Sequence, residues 1–216
     1  MRDIIKAIRL NLLLGKNVVK FLIYFIFIST LLTYSNKNLL VGILTSMTLI
    51  PMKGVSLIFQ YEEKTDIRKL YGFLPIKKYN LVLGRYFYII IIGLFSLFFS
   101  LFFQILLLEY LNINLTSIEV TQSILLGTSF YIFNIALQIP GFYKFGTITG
   151  SYLSYIPLIF FMVGIYSIGE FTDFRFKAIS LFFNNLTSIL LFSLLISMIL
   201  LLVSIIFSLL IYKENH

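Results

Sequence analysis

The chain has 216 residues, 59% of them hydrophobic and 12% charged, with a net charge of +8, no cysteine and one histidine. A mean hydropathy of +0.98 excludes an ordinary soluble domain, and the missing cysteines exclude disulfides, iron–sulfur clusters and thiolate-bound metals. With His216 alone at the C-terminus, metal chemistry is not expected; the positive charge reads as topology and attraction to anionic lipid, so no nucleic-acid partner is expected either.

At the N-terminus, Arg2, Lys6, Arg9 and Lys16 recur near helical spacing, with Ile4, Ile5, Ile8 and Leu12 largely elsewhere on the wheel. Two readings fit: an interfacial helix lying on the inner leaflet, or the basic tail that ordinarily precedes a first span. Gly15-Lys16 is not a phosphate loop, because Leu10 stands where the first glycine belongs and Asn17 replaces the Ser or Thr that would hold magnesium.

A bilayer core about 30 Å thick needs about 20 apolar residues per helix. Counting uncharged runs predicts an all-α polytopic membrane protein, a single domain over 1–216, with six transmembrane helices at about 18–34, 39–60, 86–108, 120–140, 147–169 and 187–212. The first run is short, but Val18 and Val19 extend it while Lys20 snorkels to the headgroups. The second is interrupted by Lys53, and Pro51 just before it kinks the helix. No small-residue cleavage site follows the first run, which therefore reads as a retained helix.

With the N-terminus inside, Arg2, Lys6, Arg9, Lys16, Lys20, Lys64, Arg68, Lys69, Lys77, Lys78, Arg85, Lys144 and Lys213 face the cytoplasm, and only Lys37, Arg175 and Lys177 face out. That asymmetry predicts a cell-membrane protein with both termini cytoplasmic. The outer loops hold Glu109, Glu119, Glu170 and Asp173; the glycosylation patterns at Asn114 and Asn185 read as chance in an Asn-rich chain.

Polar residues within the spans are candidates for a translocation path. Gly127, Tyr131, Asn134 and Gln138 form a stripe along one face of the fourth helix, and such a stripe either glues helices together or lines a path. Lys53 is an ionisable group inside a span, which marks a functional position by default, yet it is close enough to the inner end to snorkel. Walls rich in Phe, Leu and Ile suit an amphipathic or lipid-soluble cargo better than a small ion.

The one sizeable cytoplasmic loop, 61–85, reads YEEKTDIRKLYGFLPIKKYNLVLGR. Glu62 and Glu63 precede Lys64, Arg68 and Lys69 at spacings that steady a short surface helix, and Leu74-Pro75 stops it. A charged elbow of this kind suits a docking surface for a cytoplasmic partner; a solvated loop whose charges keep topology has the same pattern.

These residues resemble the membrane subunits of ABC exporters of the type-2 permease kind, in the branch of small six-span proteins of Gram-positive peptide, drug and bacteriocin systems. The match comprises Tyr61, Glu62, Glu63 and Lys64 leaving the second span, then Leu74, Pro75, Lys77, Lys78, Leu83, Gly84, Arg85 and Tyr86 leading into the third. Pro140, Phe142, Tyr143, Lys144, Phe145 and Gly146 match the end of the fourth span. Asp66-Ile67, where an aromatic is common, and Gly141 depart from the pattern. The resemblance implies a permease with no nucleotide site, driven by a separate ATPase subunit that binds ATP and magnesium, and a dimer with a second permease, identical or homologous. It makes 62–75 a coupling helix, with Glu62, Glu63, Lys64 and Arg68 as polar contacts to the ATPase, Leu70, Tyr71 and Phe73 as apolar anchors, and Leu74 and Pro75 as its ATPase-coupling end. The loop aromatics would equally serve as membrane-surface anchors.

Two other classes of function are weighed. An intramembrane protease fails because the acidic pair lies at the membrane surface and no histidine but His216 could complete a site. A non-transporting immunity or accessory protein against a membrane-active peptide shares the fold; dependence on an ATPase separates it from an exporter.

Overall fold

Backbone N–H and C=O groups that cannot reach water must pair within their own segment, which in a chain of this hydropathy leaves helices. The computed structural model describes residues 2–15, 18–65, 77–159 and 186–214. They form α1 (Arg2–Leu14), α2 (Val18–Asn36), α3 (Leu39–Lys64), α4 (Lys78–Tyr110), α5 (Ser117–Leu153) and α6 (Leu186–Glu214). Four described helices are long and apolar enough to cross a membrane: α3, α4, α5 with its continuation to Ile159, and α6. α2, at 19 residues, is about 28 Å long at about 1.5 Å per residue. The second part of the expected span at 147–169, from residue 160 on, lies outside the described residues.

The connections opposite the basic end are tight and locally capped. Lys37 takes a positive φ of 52°, and the Asn38 side chain accepts a hydrogen bond from the Leu40 N–H to start α3. Asn112 turns the chain with φ 56°, and Thr116 and Glu119 form a reciprocal capping box that starts α5.

α3 is the centre of the bundle: 72% of its apolar stretch is buried, against 28% in α4 and 22% in α6. It runs antiparallel to α2 and α4, and a layer of buried polar side chains joins the three. The Ser100 hydroxyl donates to Ser46 Oγ at 3.0 Å, and Gln104 Nε2 donates to Ser100 Oγ at 2.7 Å and Ser29 Oγ at 3.2 Å. Gly42 makes this approach possible, since a Cβ there would overlap Thr33 Oγ1 and crowd the Gln104 amide. Gly42→Leu is therefore expected to lower stability by about 1–3 kcal/mol through overpacking, read as an earlier thermal midpoint in detergent.

α4 begins at Lys78 rather than near residue 86 as expected. Arg85 does not end the apolar segment, because it is buried and paired inside the bundle. α6 is tied to α4 by the Tyr86 hydroxyl, which shares hydrogen bonds with Ser204 Oγ at 2.7 Å and Ser208 Oγ at 2.8 Å. It is tied to α5 by Ser193, whose hydroxyl donates to Ser129 Oγ at 3.3 Å.

α5 is not one rod. Pro140 sits within its helical part, and the backbone leaves helical geometry at Gly146, with φ 73° and ψ −170°. Beyond that point the chain folds back: Leu153 packs on Gly141, and a Cβ at Gly150 would lie 2.8 Å from the Phe142 ring. In a straight helix those partners would be about 12–18 Å apart along the axis, so α5 is a hairpin of two antiparallel arms. The turn expected between residues 140 and 147 is thus present, at Gly146.

α1 packs on α4 through small residues: Ala7 meets Gly84, and Gly15 lies against the Tyr88 hydroxyl. The outer face of α1 leaves Ile5, Leu12 and Leu13 exposed beside exposed Lys6 and Arg9. Apolar and basic groups side by side are the pattern of a helix at a headgroup boundary.

Candidate functional site

The end of the bundle that carries Lys64, Lys77, Lys144 and Lys213 also holds its most concentrated polar chemistry. Glu62 and Glu63 are consecutive in the last turn of α3, so their side chains point about 100° apart and reach different neighbours.

Glu62, 1% exposed, accepts from Arg85 Nη2 of α4, itself 4% exposed, in a buried ion pair. The rest of the guanidinium is used as well. Nη1 donates to the Tyr143 hydroxyl at 3.0 Å, and Nε reaches Asn11 Oδ1 of α1 at 3.5 Å. Its carbon lies 4.3 Å from the centre of the Phe59 ring and 5.3 Å from that of Tyr143, within cation–π range. Phe59 stacks on Phe142 at 5.0 Å, and Tyr143 meets Tyr212 of α6 edge to face at 5.5 Å. One arginine of α4 therefore contacts α1, α3 and the first arm of α5, and Tyr143 extends the cluster to α6.

Glu63 serves the hairpin turn. Its Oε1 accepts from the Thr147 backbone N–H at 3.0 Å and its Oε2 from the Thr147 hydroxyl. Thr147 opens the second arm immediately after Gly146, where backbone N–H groups have no intrahelical partner, so Glu63 acts as a helix cap supplied by another helix. The acidic pair thus fastens α3 to α4 with one carboxylate and to the hairpin turn with the other.

The sequence-based site residues separate accordingly. Glu62, expected at a partner's surface, is turned inward on Arg85, and Glu63 is half-buried on Thr147. Lys64 is exposed at the end of α3. Arg68, Leu70, Tyr71, Phe73, Leu74 and Pro75 lie outside the described residues. Lys53 is exposed on α3. Tyr131 is buried and donates to the Ile89 carbonyl at 2.7 Å, which makes it glue between α5 and α4. Asn134 and Gln138 are fully buried but bond to no other helix among the described residues: Asn134 Nδ2 donates to Phe130 O of its own helix at 2.8 Å, and the Gln138 side chain has no hydrogen-bond partner among them. Asn11, Tyr143 and Thr147 carry no sequence signal as site residues; the signal for Arg85 is a cation two turns inside α4, at the start of its long apolar run.

A family model described as ABC-2 family transporter protein matches residues 6–213. No curated protein and no solved structure matches the chain. The matched stretch runs from within α1 to the end of α6 and takes in the Glu62–Arg85 pair, a clamp between α3 and α4, and the chain belongs to the ABC-2 family of transporter proteins.

Proposed function

We propose that this permease subunit exports an amphipathic or hydrophobic cargo (a peptide, bacteriocin or drug), powered by ATP and magnesium bound in a separate ABC ATPase. It works as a pair of permeases, identical or homologous, with two ATPases. Six segments cross the bilayer: α2, α3, α4, the two arms of the α5 hairpin and α6, with both termini in the cytoplasm.

The observation that carries this reading is the clamp. Segment 66–76 leaves α3 at Thr65 and returns at Lys77, and helices on both sides of it are locked together by Glu62–Arg85. ATPase closure pressing on that segment moves α3 and α4 as one body, and Glu63–Thr147 carries the displacement into the hairpin. Glu62 and Glu63 act inside the chain; Lys64 and Arg68 are the polar contacts to the ATPase, with Leu70, Tyr71, Phe73, Leu74 and Pro75 as apolar anchors.

Co-expression with the cognate ATPase and purification through a tag on the permease tests this. The ATPase should co-purify, and Lys64→Glu with Arg68→Glu should lower its recovery several-fold while the permease stays monodisperse. If no ATPase accompanies a folded permease, export falls and an immunity or accessory membrane protein takes its place.

A further inference from the structure

Four buried side-chain atoms without a hydrogen-bond partner belong to three residues of the α5 segment: Asn134 Oδ1, Gln138 Nε2 and Oε1, and Ser154 Oγ. All three residues are at most 3% exposed. A buried polar atom with no partner is costly, and more so where no water is at hand.

The packing register brings them to one place. α3 and the first arm of α5 run parallel at a constant offset: Ile43 meets Gly127, Phe59 stacks on Phe142, and Glu63 reaches Thr147. Asn134 is thereby level with Ile50 and Pro51, and Gln138 with Gly54. The hairpin contacts Phe142–Gly150 and Gly141–Leu153 set Ser154 across from Gln138. On the helical wheel, Gln138 falls between Gly127 and Phe142, which face α3, and Asn134 between Gly127 and Gly141, which faces the second arm. The junction lies between two helices that each carry an internal proline, and Pro51 and Pro140 withdraw the amide donors that the Met47 and Ala136 carbonyls would otherwise receive.

Building on the export reading, we infer that Asn134, Gln138 and Ser154 form a cargo subsite between α3 and the two arms of the α5 hairpin, and that it binds a peptide bond. The primary amide of Gln138 offers one donor group and one acceptor, Asn134 adds an acceptor and Ser154 a hydroxyl, a set that matches the N–H and C=O of a peptide unit. None of the three is charged, so an ion gains little there. The surrounding Val55, Ile135, Ile139 and Phe142 suit apolar cargo side chains. Tyr131, paired to Ile89, and Lys53, exposed, are not part of the subsite.

Two measurements test it, with Gln138→Leu and Asn134→Leu made separately so that one misfolded variant does not decide the matter. On the permease alone, each should raise the thermal midpoint, by about 2–4 °C, because an unpaired buried amide is removed. On the permease–ATPase complex in lipid vesicles, N-acetyl-trileucine amide should stimulate ATP hydrolysis several-fold over its backbone-N-methylated counterpart, and either variant should erase that difference. Variants that melt below wild type would show that the amides are structurally paired and overturn the subsite. Equal or absent stimulation by the two peptides would overturn the peptide-bond assignment, leaving a hydrated junction. A chain that binds no ATPase would sink the export reading itself, a failure seen before either peptide is added.

Discussion

Arg85→Ala should destabilise the permease by about 3–5 kcal/mol, the range for removing one partner of a buried ion pair. Glu62, 1% exposed, would keep a carboxylate with its guanidinium gone, and Asn11 and Tyr143 would each lose a donor. On the scale of a chain of about this size, that is a fall of about 6–20 °C in the thermal midpoint. The chain has no tryptophan, so the loss is best followed as decay of the monodisperse peak of a fluorescently tagged protein in detergent. Arg85→Lys should fall in between: an ammonium keeps the charge but cannot serve Glu62, Asn11 and Tyr143 together or lie flat against the Phe59 ring. Glu62→Leu with Arg85→Leu should recover most of the stability, because apolar replacement of a whole buried pair is often neutral or better. The double variant should still fail to couple to the ATPase, which separates folding from transmission.

Gly146→Val should be nearly as damaging, for a backbone reason. The pair φ 73°, ψ −170° belongs to a region open essentially to glycine alone, and holding another residue there costs about 1–3 kcal/mol, with β-branching at the upper end. A Cβ would also stand 3.3 Å from Glu63 Oε1 and press the carboxylate that caps Thr147. Loss of the cap and of the turn together should open the hairpin, seen as a sharp drop in folded yield. Gly54→Ala is the control: its Cβ would meet only Val18, at an ordinary 3.8 Å, and should leave the yield unchanged.

Much of this architecture is legible in the residues. Apolar run lengths place α3, α4 and α6, and the Pro140 to Gly146 stretch marks a turn that the fold has at Gly146. Counting apolar residues reports the solvent around a helix and not its partners, so the same count starts α4 too late, near residue 86 instead of Lys78. Arg85 is compatible with a buried position only because Glu62 lies opposite it across an antiparallel pair. That pairing depends on where the turn between α3 and α4 is centred, which composition does not reveal. The stripe of Tyr131, Asn134 and Gln138 makes the same point from the other side. Periodicity puts the three on one face, but Tyr131 reaches α4 because Gly93 leaves room for its ring, while the two amides find no donor or acceptor on a neighbouring helix. Glu63 illustrates a third limit: capping from another helix is a tertiary contact with no local signature.

The central claim is that the Glu62–Arg85 clamp transmits ATPase closure to the helix bundle. Because the chain has no cysteine, Lys53→Cys, at an exposed position on α3, provides a single thiol reporter. Its rate of modification by a water-soluble maleimide, measured on the permease–ATPase complex in vesicles with and without ATP, reads the movement of α3 directly. The clamp account predicts an ATP-dependent change in rate, lost in Arg85→Ala and in Glu62→Leu with Arg85→Leu, and regained in part when the charges are swapped as Glu62→Arg with Arg85→Glu. An ATP-dependent change that survives intact in a folded complex without the ion pair would contradict it.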